Sequence, residues 1–331
     1  MRPLLRHLLP IMGIFAVSLL SSCDKNTESE PSIAGIAVAN DDFSVLEDAA
    51  VRGGVVGVLS NRNPGDPAGN YTVFAPNNAA FARLGLRSAA DLNVLNRDFL
   101  TSTLYYHVTG GTVSGSALQN GLVSPSALGP GRRIINRNGT LYVNGSRILL
   151  TDVKASNGTV HAVDKVLLAT GADIVQSALA LNNRQVFVQP ELTFLVEAVL
   201  YANLQGTLSG PGPFTVFAPN DQAFRTLLTA LQVTPGSPAG YVPADVRKLP
   251  VNTVTAVLLQ HVIPGSKFTP ELPESSSTGS AGGAPVTFGP FVDGTLTVKG
   301  GGNGTSVANM VIPDVLCTNG VVHVIDRVLL P

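Results

Sequence analysis

The sequence predicts an α+β fold built twice in tandem, and three observations predict it. Three blocks of residues recur in the same order in the two halves of the chain. In each half a proline–asparagine signal turns a short strand into a helix. Each half then changes to β-rich runs and finishes in a long apolar strand.

The repeat comes first, because it sets the frame for every element. Residues 70–81 (NYTVFAPNNAAF) match 213–224 (PFTVFAPNDQAF), so Phe217 follows Phe74 by 143 positions. Residues 104–108 (LYYHV) match 258–262 (LLQHV), where His261 follows His107 by 154. Residues 157–168 (NGTVHAVDKVLL) match 319–330 (NGVVHVIDRVLL), where His323 follows His161 by 162. The growing offset requires insertions in the second copy. Residues 235–240 and 275–283 have the Pro, Gly and Ser composition of surface loops and are the expected sites.

Each copy should open with a helix, near residues 43–59 and 194–204. Residues 72–74 and 215–217 read as short strands ended by Pro76 and Pro219, since proline cannot donate to a ladder. Asn77 and Asn220 then suit helix N-caps. Phe81 with Leu84, and Phe224 with Leu227 and Leu228, form buried faces at helical spacing. A second helix follows, carried by Leu100, Leu104 and His107 and by Val254, Val257, Leu258 and His261. Residues 140–143 and 295–298 read as strands. The closing runs, 160–168 and 321–330, are apolar on both faces, which marks inner strands of a two-layer domain.

The N-terminus reads as an export signal. Arg2 and Arg6 precede an apolar run over 8–20, too short for a comfortable membrane span. It ends in Leu20-Ser21-Ser22-Cys23, the spacing of a bacterial lipobox with Cys23 as the acylated residue. Several acyl chains on one cysteine give stable anchoring. Residues 1–22 are thus expected to be removed, and 23–32 to form an acidic tether. Loss of Arg2 and Arg6 leaves 19 Lys and Arg of the 21 against 22 Asp and Glu, a formal charge of −3. That balance speaks against a nucleic-acid partner. With Cys23 acylated, Cys317 has no disulfide partner and should be a packed thiol, so the folds must rest on their cores.

The matched blocks, in this order, resemble the fasciclin-type (FAS1) domain. The resemblance rests on TVFAPNDQAF at 215–224, Tyr106-His107, and TNGVVHVID at 318–326, and it covers nearly the whole mature chain twice. It implies a wedge of two β-sheets packed with several short helices, in one domain over 33–170 and a second over 171–331. It also implies cell adhesion rather than catalysis. In animal members an aspartate–isoleucine pair and the tyrosine–histidine region are implicated in integrin contact. The corresponding positions are Asp152-Val153 and Asp314-Val315, with valine for isoleucine, and Tyr106-His107 and His261, where Gln260 replaces the tyrosine.

Read on their own, most of these residues have a structural role. His107, His161, His261 and His323 sit among apolar neighbours, as core histidines with satisfied ring nitrogens do. Asp164 and Asp326 should hydrogen-bond a turn, because their neighbours Lys165 and Arg327 point to the opposite face. Asp314, after Pro313, reads as a solvated loop residue ahead of a strand. Asn138, Asn144, Asn157 and Asn303 begin Asn-x-Ser/Thr triplets and read as turn residues. No metal-binding spacing, nucleophile elbow or phosphate loop is present, so neither an enzyme nor a cofactor is expected. The expected function is a lipid-anchored adhesion protein of the outer membrane or cell surface, contacting a protein or glycan of a neighbouring cell or matrix. The alternative is a polysaccharide-binding lipoprotein serving glycan uptake, against which the lack of tryptophan weighs.

Overall fold

The computed structural model describes residues 30–181 and 191–331. Cys23, the signal sequence and most of the tether lie outside the described residues. The first domain holds helices α1 (Ile33–Val38), α2 (Ser44–Gly53), α3 (Val56–Ser60), α4 (Asn78–Ala82), α5 (Ala89–Leu92) and α6 (Arg97–His107). Its strands are β1 (Tyr71–Pro76), β2 (Val108–Gly110), β3 (Val123–Ser124), β4 (Arg132–Arg137), β5 (Thr140–Val143), β6 (Ser146–Ala155) and β7 (Gly158–Val163). A short strand β8 (Leu168–Ala169) follows. The second domain has helices α7 (Ile174–Leu181), α8 (Thr193–Tyr201), α9 (Gln205–Leu208), α10 (Asp221–Ala230) and α11 (Val251–Gln260). Its strands are β9 (Phe214–Pro219), β10 (Val262–Pro264), β11 (Ser277–Gly279), β12 (Pro285–Phe288), β13 (Thr297–Gly300), β14 (Ala308–Cys317) and β15 (Gly320–Ile325).

The two sheets share one order, β2-β1-β7-β6-β5-β4-β3 and β10-β9-β15-β14-β13-β12-β11. The pairs β1–β7 and β9–β15 are parallel, and both are central. The long strands β6 and β14 each pair with two neighbours at opposite ends, and so link the two halves of the wedge. All six residues of β7 and all six of β15 are buried, as their two-faced apolar pattern predicts. Alternation along β1 divides the core. Val73 and Ala75 face the helices, while Phe74 joins Tyr106, Ile134 and Val143 inside the curved sheet. Phe217 plays Phe74's part in the second domain, with Val286, Phe288 and Val298. Close approach of strands fixes Gly158 and Gly320. A Cβ at either would overlap the backbone of Tyr71 or Phe214.

Asn77 and Asn220 are N-caps, accepting from Ala80 N and Ala223 N. Four expectations need correction. The opening helix of the first copy is broken in two at Gly54, whose φ of 70° ends α2 as a left-handed cap. An earlier helix, α1 or α7, precedes it in each copy. Residues 275–283 are not all loop, since β11 pairs with β12. Pro76 and Pro219 complete their strands, because the missing N–H lies at the very end of the ladder.

Candidate interaction site

The residues singled out in sequence fall into two matched constellations per domain. The first is a clamp between helix and closing segment. His107, at the end of α6, donates from Nδ1 to the Thr103 carbonyl (2.7 Å) and accepts at Nε2 from Leu167 N (2.9 Å). His261 repeats this with the Val257 carbonyl (2.7 Å) and Leu329 N (2.8 Å). Both rings are buried, and burial pulls both down to a pKa of about 4, so they are neutral at physiological pH. Tyr106 is fully buried. Its hydroxyl accepts from Asn144 Nδ2 (2.8 Å) and donates to the Gly131 carbonyl (3.3 Å). Gln260, its counterpart, instead bonds Pro285 and Ser280. These side chains hold backbone segments together and present no polar atom to a partner.

The second constellation is a β-bulge. β6 shifts register against β7 between Leu150 and Val153, and β14 against β15 between Ile312 and Val315. The extra residue is Asp152 or Asp314, each left-handed, with φ of 61° and 67°. Their N–H groups donate to Nδ1 of His161 (3.2 Å) and His323 (3.1 Å). The Nε2 atoms of those rings donate to Val113 (2.8 Å) and Lys267 (3.0 Å) carbonyls. Burial again lowers both histidines, which fits the neutral tautomer. The structure thus brings Asp152 to His161, and Asp314 to His323, in one motif made twice.

The carboxylates diverge. Asp152 is exposed, and its Oδ1 accepts from Gly115 N (2.8 Å). Asp314 is buried inside β14, which corrects its reading as a solvated loop residue. Oδ1 accepts from Thr269 N (2.7 Å), and Oδ2 from the Thr269 hydroxyl (2.8 Å) and Lys165 Nζ (2.9 Å). Lys165 also donates to the Gly294 carbonyl (2.6 Å), so both partners of the buried pair are well satisfied. Burial, the largest single influence, would raise the Asp314 carboxyl, but Lys165, His323 and the hydrogen bond from Thr269 N together outweigh it, and the carboxyl sits below its ordinary range. A Cβ at Gly145 would overlap that carboxylate, so glycine is required at this first-domain turn. Val315 follows the same division. It is 1% exposed and pairs with Leu168 of β8, whereas Val153 is half-buried.

The cover over Asp314 is the junction between the domains. Besides β8 on β14, it holds four ion pairs among the described residues: Arg83–Asp293 (2.9 Å), Arg133–Glu271 (2.6 Å), Arg137–Glu274 (2.8 Å) and Lys165–Asp314. The first domain supplies every cation and the second every anion. Arg133 and Arg137 also lie over the rings of Phe268 and Phe291 (5.0 and 4.3 Å). Tyr142 meets Phe291 edge-on.

Sequence reasoning missed a pair of buried asparagines. Asn157 accepts from Ile33 N and donates to Leu59 and Asn61 carbonyls, tying α1 and α3 to the β6–β7 turn. Asn319 does the same with Ile174 N and the Leu208 and Gly210 carbonyls. Their retention in both copies, at the head of the third block, was the available signal. Asp164 and Asp326 accept from Arg147 N and Asn309 N (2.7 Å each), which lie in β6 and β14 and not in a turn as expected. Cys317 closes β14, buried beside the Ser177 hydroxyl (3.3 Å), and burial pushes its thiol up. Among the described residues no cluster of His, Cys, Asp or Glu could hold a metal ion, and no helix is long and apolar enough to cross a membrane.

Comparison with known proteins gives a consistent result. The family model described as Fasciclin domain matches residues 41–169 and 190–331. The pig transforming growth factor-beta-induced protein ig-h3 is 29% identical over 273 residues, covering 80% of this chain and 35% of that protein. Human periostin is 27% identical over 297 residues, with coverage of 84% and 31%. Protein sll1483 of Synechocystis is 35% identical over 143 residues, 43% of this chain and 76% of that one. The chain therefore spans about a third of the length of the two animal relatives. A solved FAS1 domain pair from the insect cell adhesion molecule fasciclin I aligns over 90% of this chain and 96% of that one, at 16% identity and a TM-score of 0.39.

Proposed function

The chain belongs to the fasciclin-domain family, and from that premise we propose that it is a non-catalytic adhesion protein of the cell envelope whose contact face lies on the first domain. Cys23 carries the lipid anchor in this reading, residues 24–32 form the tether, and the folded domains span 33–170 and 171–331. The partner is a protein or glycan of a neighbouring cell or matrix, met at the Asp152-Val153 bulge. One observation carries the choice of face. Asp152 is exposed, while its twin Asp314 is spent on Lys165 inside the junction. Tyr106, His107, His261, Asp314 and Val315 are support for the fold in this account. They are buried and bonded internally, and a partner would have to unfold the domain to reach them.

The test is attachment of beads coated with residues 24–331 to cells and extracted matrix polymers. Asp152→Arg should lower retention at least roughly tenfold, the effect of removing one well-placed charged contact. Retention no better than that of bare beads, or retention unchanged by the substitution, would count against the reading. A glycan array with the same protein tests the glycan form of the partner.

A further inference from the structure

The junction holds a cleft of about 190 Å³ that needs both domains for its walls. Leu84, just after α4, and Val166 line it from the first domain, and Met310 and Val311 of β14 line it from the second. Thr295 completes it from the turn at residues 292–295, whose backbone bonds run between Val292 and Thr295. Both cations of the first domain at this place hold that turn, Arg83 on Asp293 and Lys165 on the Gly294 carbonyl. Clefts between domains, with apolar walls and a few convergent polar groups, are where small ligands are most often held.

The polar lining sets the chemistry. The charged residues that line the cleft are Arg83 and Lys165, whereas their partners Asp293 and Asp314 do not line it. Lys165 commits its ammonium to Asp314, the Gly294 carbonyl and the Thr269 hydroxyl. Arg83 is less committed. Among the described residues its guanidinium bonds only Asp293, at Oδ1 (2.9 Å) and, weakly, at the carbonyl (3.5 Å). Most of its five N–H donors therefore remain for a further acceptor. The Asp293 side chain is 72% exposed, so the pair parts easily. Thr295 Oγ1 is buried without a hydrogen-bond partner among the described residues. A hydroxyl left so is unfavourable, and an acceptor in the cleft would relieve it. Size narrows the ligand further. An apolar cavity of about 150 Å³ holds benzene, so 190 Å³ accommodates such a ring with one carboxylate.

We propose that the cleft between the domains binds a small monocarboxylic acid whose apolar body is about the size of a benzene ring. The carboxylate pairs with the Arg83 guanidinium, whose planar fork suits it, and accepts from the Thr295 hydroxyl. The body packs between Leu84 and Val166 on one side and Met310 and Val311 on the other. Asp293 gives up part of its hold on Arg83 and stays in water. Because the ligand touches both domains, its binding also fastens the junction. The site is separate from the Asp152 face assigned to adhesion, and purified protein alone decides it.

The experiment is a titration of residues 24–331 with sodium benzoate, followed by NMR of labelled Leu, Val and Met methyl groups. Acetate supplies the charge without the body, and benzyl alcohol the body without the charge. Benzoate should saturate with a Kd of roughly 1 mM or tighter. It should move the signals of Leu84, Val166, Met310 and Val311, and the other two probes should bind at least roughly tenfold more weakly. Arg83→Met should weaken benzoate at least roughly tenfold, whereas Asp293→Asn should tighten it by freeing the guanidinium. A pair that served only to join the domains would be broken equally from either side, so the two substitutions would then act in the same direction. Thr295→Val, of nearly the same shape, should weaken benzoate about threefold or more. Methyl signals far from the cleft report the folding of each variant, and Asp293→Asn, at an exposed position, guards against misfolding of Arg83→Met. No saturable benzoate binding, signal changes confined to other regions, or responses of the same sign to Arg83→Met and Asp293→Asn would overturn the proposal.

Discussion

Asp152 and Asp314 sit in the same bulge, beside the same histidine, in two copies of one domain. The first meets water, and the second meets a lysine from the neighbouring domain. The bulge is therefore a product of the fold, since both copies make it regardless of what the carboxylate does. What the carboxylate does is decided by neighbours outside the domain. One copy of the motif is the socket of an internal joint, while in the other the carboxylate is exposed.

The largest test of that contrast is thermodynamic. Asp314→Ala should destabilise the protein by roughly 3–5 kcal/mol, because it leaves the Lys165 ammonium buried without its counter-charge. Asp152→Ala should cost less than about 1 kcal/mol, the loss of one exposed acceptor. Urea unfolding of both variants, followed by circular dichroism, makes the comparison. Equal losses would erase the distinction between the sites.

A second test asks where the copies should agree. His107 and His261 titrate near 6.5 when unfolded and about 4 when folded. A folded value below the unfolded one means the stabilisation is complete above pH 6.5 and is lost as pH falls toward 4. Each ring should give up roughly 3 kcal/mol over that window, and His161 and His323 act in the same direction. Asp314, also lowered, adds its loss only below the ordinary carboxylate range. Thermal midpoints should therefore drop steadily between pH 6.5 and 4.5. A flat profile there would contradict the clamp. Asn157→Ala and Asn319→Ala form a matched pair in the same spirit. Each leaves a buried N–H and two carbonyls without their partner, and each should cost about 2 kcal/mol. A large difference between them would show that the two turns are not equivalent.

The smallest expected effect concerns the rim of the junction. Arg83–Asp293 is exposed on the aspartate side, and Asp293→Asn should change stability by no more than about 0.5 kcal/mol. A larger loss would mean that the domains are held by their rim as well as by Lys165 and β8.

How much of this was legible in sequence follows from what the repeat can and cannot carry. Strands at Phe74 and Phe217, caps at Asn77 and Asn220, and buried histidines were readable because each depends on residues close in sequence. The junction was not, since Lys165 and Asp314 lie 149 positions apart and each copy looks complete by itself. Asp314 was misread for that reason, as the residues that bury it belong to the other domain. The clue lay in mismatches between copies. Arg83 against Thr226, Glu271 against Ala117 and Asp293 against Asn138 are charges present in one copy only. Asn157 reads as a turn residue in sequence because turn geometry and a buried side-chain role give the same Asn-Gly signature.

Backbone amide exchange reads the central contrast without any substitution. Val153 and Lys154 on β6 correspond to Val315 and Leu316 on β14, and only the second pair is flanked by β8. Among the described residues no strand flanks Val153 and Lys154 while β8 flanks Val315 and Leu316, so exchange over the first pair should be at least roughly tenfold faster than over the second. Equal protection of the two pairs would contradict the account, because it would mean that both bulges are covered or both are open.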